Sequence, residues 1–165
     1  GNSAKNGFPG VNEENFLQNL LKQVAEARTS EARGKEPKYW KYVPETPEEI
    51  ANAPSTIVKE ASEYYRTERC FYPTTTNRYL VSSNDKLAAW DAFSHIETVS
   101  PRPILLIVGS KADTLYYSED CYQKALEPKE IFTIQDATHV DLYDKPQFVE
   151  QVVAKLVSYF NQYLG

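Results

Sequence analysis

The spacing of apolar residues changes near residue 100, and the two sides of that point predict different structures. In the segment 12–28 apolar residues recur at helical spacing and form one stripe of Phe16, Leu17, Leu20, Leu21 and Val24. Asn12 precedes that stripe as its N-cap. The stretch TPEE (46–49) is a capping box with proline at the first helical position, which predicts another helix. Further predicted elements are helices from Ser55 to Tyr65 and from Asp85 to Trp90, and a short strand at Tyr79-Leu80-Val81.

Beyond residue 100 the pattern becomes that of alternating strands and helices. ILLIV (104–108) is a continuous apolar run, typical of a strand buried on both faces. Ser118, followed by two acids, predicts a helix that runs to about Leu126, and EIFTI (130–134) predicts a second strand. Pro146 opens a long amphipathic helix to Leu164, whose apolar face comprises Phe148, Val149, Val152, Val153, Leu156 and Phe160.

This order of strand, helix, strand and helix predicts two adjacent parallel strands joined by a right-handed crossover. The fold class is therefore α/β. Residues 99–165 are expected to form the C-terminal part of a doubly wound parallel sheet. Residues 1–98 are expected to form a mainly helical segment with its connection to that sheet.

Composition excludes several classes of function. Of the 165 residues, 41% are hydrophobic and 25% are charged, which is the composition of a globular protein. The net charge of −5, without a basic stripe, argues against binding to nucleic acid or to a membrane. Cys70 and Cys121 lie far apart and form neither a metal-binding motif nor a disulfide framework. No apolar run approaches the length of a membrane span, so a reduced, cytoplasmic protein is predicted.

Two side chains that can carry chemistry follow the two predicted strands. Asp113 lies five residues past Val108, and His139 lies five residues past Ile134. The carboxyl ends of neighbouring parallel strands meet at one edge of a sheet, so this carboxylate and imidazole are expected to lie close together. In such a pair the carboxylate can hydrogen-bond one ring nitrogen of the imidazole, which leaves the other ring nitrogen to act as a base. Asp141 and Asp144 are rival carboxylates, although Asp144 is also placed to cap the final helix.

The segment from Pro101 to Leu164 resembles the C-terminal third of α/β hydrolases related to dienelactone hydrolase. The phrases PRPILLIVGSKAD (101–113) and HVDLYD (139–144) carry this resemblance, and SHIETVSPRP (94–103) extends it more weakly. Residues 12–77 then resemble the helical insertion that caps the active site of such enzymes. The resemblance implies that His139 is the general base and that Asp113 is its orienting acid. It implies no cofactor and no metal.

A nucleophile elbow of the form G-x-S-x-G is absent from the sequence. Ser110 follows a strand and a glycine, but GSKAD lacks the second small residue. Cys121 is attractive because dienelactone hydrolases use cysteine, yet it falls inside a predicted helix, where packing is the better interpretation. Ser3 lies in an irregular lead-in. We therefore expect the chain to be the C-terminal half of a hydrolase whose serine or cysteine nucleophile and oxyanion donors lie upstream of Gly1.

The remaining singled-out residues have weaker functional interpretations. His95 lacks a charge partner at useful spacing and is interpreted as a structural contact. An aromatic cluster is expected either to pack the cap or to line an apolar substrate pocket; it comprises Tyr39, Trp40, Tyr42, Tyr64, Tyr65, Phe71 and Tyr72.

The function predicted from these residues is that of an esterase-like or lactonase-like α/β hydrolase, with this chain supplying the cap and the acid and histidine of a triad. A non-catalytic binding module of the same fold is the alternative. The expected partners are a small ester or lactone and either the N-terminal half of the enzyme or a second copy, paired through an exposed sheet edge.

Overall fold

The computed structural model describes residues 15–164 and divides the chain into two compact units between Ala92 and Phe93. The lead-in and the predicted N-cap Asn12 lie outside the described residues. The assignment of residues 1–98 as a cap stays a prediction.

The first unit is mainly helical, as its apolar spacing predicts. It contains α1 (Phe16–Ala32), β1 (Tyr39–Trp40), α2 (Pro47–Ala51), α3 (Thr56–Arg66), β2 (Tyr79–Leu80) and α4 (Asn84–Ala89). Leu20, Val24 and Ala27 form the buried face of α1, and Val81 is buried in the short 3₁₀ turn that packs against that helix. The Arg28 guanidinium donates to the carbonyl oxygen of Ser82, which ties α1 to the same turn.

The predicted capping box is confirmed. Thr46 Oγ1 accepts from the backbone N–H of Glu49, and the Glu49 carboxylate accepts from the backbone N–H of Thr46. The strand at Tyr79-Leu80 is also confirmed, and it pairs antiparallel with Tyr39-Trp40. The strand Tyr39-Trp40 is too short to give a periodic pattern in the sequence.

The second unit contains the predicted alternation of strands and helices. Its elements are β3 (Ile104–Gly109), α5 (Leu115–Lys124), β4 (Lys129–Ile134), α6 (Asp141–Asp144) and α7 (Pro146–Leu164). β3 and β4 pair in parallel, from Ile104 opposite Lys129 to Gly109 opposite Ile134. The two strands have only each other as neighbours among the described residues, so the wider doubly wound sheet stays a prediction. Within residues 15–164, no helix has the length and apolar character that crossing a bilayer requires.

Two local expectations for this unit are wrong. The helix between the strands begins at Leu115, so Ser118 lies within its first turns and does not cap it. The turn after β3 already aligns the backbone for a helix, with the Leu115 N–H donating to the Ala112 carbonyl. β3 is also less buried than its apolar run predicts: Val108 and Gly109 are buried, whereas the residues before them are half-buried.

The end of β3 lies unusually close to the loop that follows β4. A Cβ atom added to Gly109 would clash with the carbonyl oxygen of Ala137 and would lie 2.7 Å from that of Thr138. Only glycine allows this approach. The Lys111 N–H donates to the Ala137 carbonyl at 2.9 Å, and the Asp136 N–H donates to Ser110 Oγ at 2.8 Å. One bond between backbones and one bond from the backbone to a serine hydroxyl thus hold the two loops together at this edge of the sheet.

We predict that Gly109→Ala lowers the free energy of unfolding by about 1–3 kcal/mol, the usual cost of overpacking, and displaces the loop that follows β4. Gly34→Ala is the matched control: its φ of +77° makes alanine strained, but no atom lies within 4 Å of the added Cβ. Urea denaturation measures both losses, and NMR resonances of the His139 ring report the loop. Only Gly109→Ala should move those resonances; unchanged resonances in a folded Gly109→Ala protein would contradict the packing described.

Candidate functional site

His139 lies on the loop between β4 and α6, at the carboxyl end of the parallel strand pair. Asp136 adopts a left-handed conformation with φ 62°, which turns the chain sharply after the strand. Ala137 and Val140 are then almost completely buried on either side of the histidine. These buried anchors, and the contact of Ala137 with Gly109, hold the His139 backbone in place while its side chain remains half-buried.

Both ring nitrogens of His139 have a hydroxyl partner. Nδ1 is 3.0 Å from Oγ1 of Thr114, the residue that directly precedes α5. Nε2 is 2.8 Å from the phenol oxygen of Tyr143, which lies one helical turn later in α6. The imidazole and phenol rings meet edge to face, with centroids 5.4 Å apart. The two contacts fix the orientation of the imidazole plane.

The electrostatic surroundings favour a neutral His139. Burial lowers the pKa of this imidazole below its ordinary value of 6.5, and the negative charge of Asp113 opposes that shift in part. Asp113 is exposed in the turn after β3, and its charge favours the protonated imidazole. Its role as the orienting acid of a triad stays a prediction.

The rival carboxylate Asp141 is committed to local structure. Its Oδ2 accepts from the backbone N–H of Thr138 at 3.1 Å, its own N–H donates to Thr138 Oγ1, and its Oδ1 pairs with Lys145 at 2.5 Å. Burial alone would raise the pKa of this carboxyl, but the bonds to Lys145 and Thr138 hold it below the ordinary value. Asp141 thus stabilises the start of α6. Asp144 is the exposed last residue of that helix.

The side chains considered as nucleophiles have structural roles. Ser110 Oγ accepts from the backbone N–H of Asp136 and so fastens the two loops together. Cys121 is fully buried in α5, and this burial raises the pKa of its thiol, which disfavours the reactive thiolate. Packing, as predicted, explains this cysteine. Ser3 lies outside the described residues.

His95 differs from its predicted setting. It adopts a left-handed backbone with φ 67°, its side chain is 83% exposed, and Nδ1 is 3.6 Å from Oε1 of Glu97. The expectation that it lacks a charge partner is therefore wrong, because the partner lies only two residues away. Because its side chain is largely exposed, His95 does not make the structural contact that the sequence analysis expects.

A cavity of about 400 Å³ lies in the first unit. Its lining includes two members of the aromatic cluster and is made of Tyr42, Val43, Tyr65, Arg66, Thr75, Thr76 and Asn77. The Asn77 side chain has a structural role. Its amide oxygen accepts from the backbone N–H groups of Tyr42 and Val43, and its amide nitrogen donates to the Val43 carbonyl. A role for this cavity in binding substrate stays a prediction.

Sequence reasoning missed Thr114 and Tyr143. A signal for Tyr143 was present in HVDLYD, because residues four apart share one face of a helix. Thr114 carries no such signal: its contact with His139 depends on how the turn after β3 lies against the loop after β4. Across residues 15–164, no three side chains of the metal-binding types converge on one point.

Comparison with known proteins relates the chain to longer proteins. No family model matches it. YcjY of Escherichia coli K12, described as uncharacterized, is 30% identical over 139 residues, which are 84% of this chain and 44% of YcjY. The crystal structure of the hypothetical protein PA2218 of Pseudomonas aeruginosa matches 99% of this chain and 51% of its own with a TM-score of 0.81 at 26% identity.

GrgF of Penicillium sp. is described as a polyketide transferase and, in its crystal structure, as an α/β hydrolase. It is 27% identical in sequence over 127 residues, 75% of this chain and 41% of GrgF. Its structure matches 88% of this chain and 49% of its own with a TM-score of 0.67 at 22% identity. The chain thus spans about half the length of the solved structures it matches and less than half of its curated relatives. In its fold, the chain is related to the α/β hydrolases.

Proposed function

We propose that these residues supply the acid–base half of an α/β-hydrolase active site, with His139 as general base and Asp113 as the acid that supports it. The observation that carries this proposal is the position of His139: a half-buried imidazole with lowered pKa, on a loop that the buried Ala137 and Val140 anchor at the carboxyl edge of parallel strands. The fold relationship to GrgF supports it.

In the proposed reaction, a serine or cysteine from another part of the protein attacks the carbonyl carbon of a small ester or lactone. His139 Nε2 takes the proton of the nucleophile and then gives it to the leaving alkoxide, which becomes an alcohol. This alcohol departs from an ester and stays attached to the acyl group of an opened lactone. The acyl group remains on the nucleophile until an acceptor, activated by His139 in the same way, removes it. Asp113 stabilises the imidazolium that forms at each proton transfer.

The acceptor decides whether the enzyme is an esterase or a transferase. GrgF is named as a transferase, so an acceptor other than water belongs among the reactions to be assayed. His139 makes the same proton transfers whether the acceptor is water or another molecule. A non-catalytic binding module would retain the fold without requiring His139.

We predict that His139→Asn lowers kcat/KM for p-nitrophenyl acyl esters by roughly 10³-fold or more, since a general base and its proton transfers are lost. The assay requires the protein extended to the length of its relatives. His95→Asn is the matched control, because asparagine tolerates the left-handed backbone and His95 is exposed. The control should retain activity within about twofold. Activity of His139→Asn equal to that of the control, with circular dichroism showing both folded, would contradict His139 as the base. An extended protein that hydrolyses no ester above background would favour the non-catalytic module.

The pH profile of kcat/KM tests the pairing with Asp113. Because burial lowers the pKa of His139, we expect the acidic limb of the profile to have its midpoint below pH 6.5. Asp113 raises that pKa, so Asp113→Asn should move the midpoint to still lower pH as well as reducing the rate. A midpoint that stays in place or rises would show that Asp113 does not support His139.

For the 165-residue chain by itself, we propose self-association through the outer face of α7. Val153, Val157, Phe160 and Leu164 are each at least half exposed and are spaced four, three and four residues apart, as in a coiled-coil seam. No exposed position from 153 to 164 carries a charge that would repel a second copy. The open edges of the two-stranded sheet add to this tendency.

We predict a concentration-dependent dimer of this chain in sedimentation equilibrium. Val157→Glu should weaken the dimer at least about tenfold, because it places a charge in the apolar seam. Gln162→Glu adds the same charge to the opposite side of α7 and should leave the equilibrium unchanged. A monomer at every concentration, or equal weakening by both variants, would contradict this surface as the point of association.

A further inference from the structure

The hydroxyl partners of His139 point to a function that the triad residues alone do not explain. A neutral imidazole carries one proton, so one ring nitrogen donates and the other accepts. The proposed base requires the proton on Nδ1, which leaves Nε2 free to accept. Thr114 and Tyr143 touch one nitrogen each and can therefore decide between the two tautomers.

We infer that Thr114 and Tyr143 are positioning residues that hold His139 in the Nδ1–H tautomer, with Thr114 Oγ1 accepting from Nδ1 and the Tyr143 phenol donating to Nε2. The role inferred for these two residues rests on the proposed function, whereas their contacts with His139 do not depend on it. It goes beyond the acid of the triad, because neither residue is a carboxylate.

The chemistry of the two hydroxyls selects this direction of the bonds. A phenol, with a pKa near 10, is a far stronger hydrogen donor than an aliphatic alcohol, and an imidazole lone pair is a strong acceptor. The best pairing therefore joins the Tyr143 O–H to Nε2. The alcohol oxygen of Thr114, a better acceptor than the phenol, then receives the Nδ1 proton.

The position of Thr114 supports a role beyond local structure. It occupies the residue before α5, where a threonine hydroxyl normally accepts from an N–H of the first helical turn. Thr114 makes no such capping bond, and its hydroxyl is directed to His139 instead. Tyr143 lies in the short α6, and its phenol contacts Nε2 of His139, which precedes it by four residues.

The Tyr143 contact also describes a resting state. The Nε2 lone pair accepts one hydrogen bond at a time, so the phenol occupies the place that the O–H or S–H of the nucleophile must take. Tyr143, which is 44% exposed, must release Nε2 before the nucleophile engages it. The phenol thus keeps Nε2 unprotonated until then.

The tautomer can be read directly from long-range ¹H–¹⁵N correlations of the imidazole rings in the 165-residue chain. The sequence contains two histidines, so His95, which is largely exposed, serves as the internal reference. The wild-type chain should show mainly the Nδ1–H form of His139. Thr114→Val and Tyr143→Phe should each lower the ratio of Nδ1–H to Nε2–H by about two- to tenfold, the effect of one lost hydrogen bond.

Thr114→Ser, which restores the hydroxyl, should recover most of the wild-type ratio, and Tyr65→Phe, outside the second unit, should not change it. A wild-type ring mainly in the Nε2–H form, or a ratio unchanged in both Thr114→Val and Tyr143→Phe, would overturn the inference. Because the measurement needs no substrate, its failure is distinguishable from a failure of the proposed function, which turnover tests separately.

Discussion

The contact of Gly109 with Ala137 and Thr138 is the constraint on which the site depends. It brings the loop after β4 against the end of β3 more closely than any side chain would allow. The Lys111 N–H donates to the Ala137 carbonyl and the Asp136 N–H donates to the Ser110 hydroxyl, and these two bonds fasten the loops together. With the loops held in this way, Thr114 Oγ1 lies 3.0 Å from Nδ1 of the imidazole that the second loop carries.

From that contact follows the chemistry of His139. The loop is anchored by buried neighbours, so the imidazole is partly desolvated, and its pKa falls although Asp113 lies near enough to oppose the shift. Asp141 is closer in sequence but serves α6 through Thr138 and Lys145. Asp141 thus has a structural role, and Asp113 has an electrostatic one. Hydroxyl groups fill the direct contacts of the ring.

Much of the fold was predictable because its elements have strong patterns. The apolar run of β3, the parallel partner β4 and the amphipathic α7 follow from periodicity and order along the chain. The two-residue strand β1 was not predictable, and the prediction of Ser118 as a cap is wrong because the acids that favour it lie inside a helix that begins at Leu115. His139 and Asp113 stand out in the sequence because both follow predicted strands. Thr114 was not found, because its role arises from contact between two loops 25 residues apart.

The most direct test of the account is the labelling of the nucleophile in the protein extended to the length of its relatives. A fluorophosphonate reports an activated serine and iodoacetamide an activated cysteine. We predict that the labelled residue lies outside these 165 residues and that His139→Asn slows its labelling by orders of magnitude. Labelling of Ser110 or Cys121, or labelling that proceeds equally fast in His139→Asn, would contradict the assignment of His139 as the base of a hydrolase.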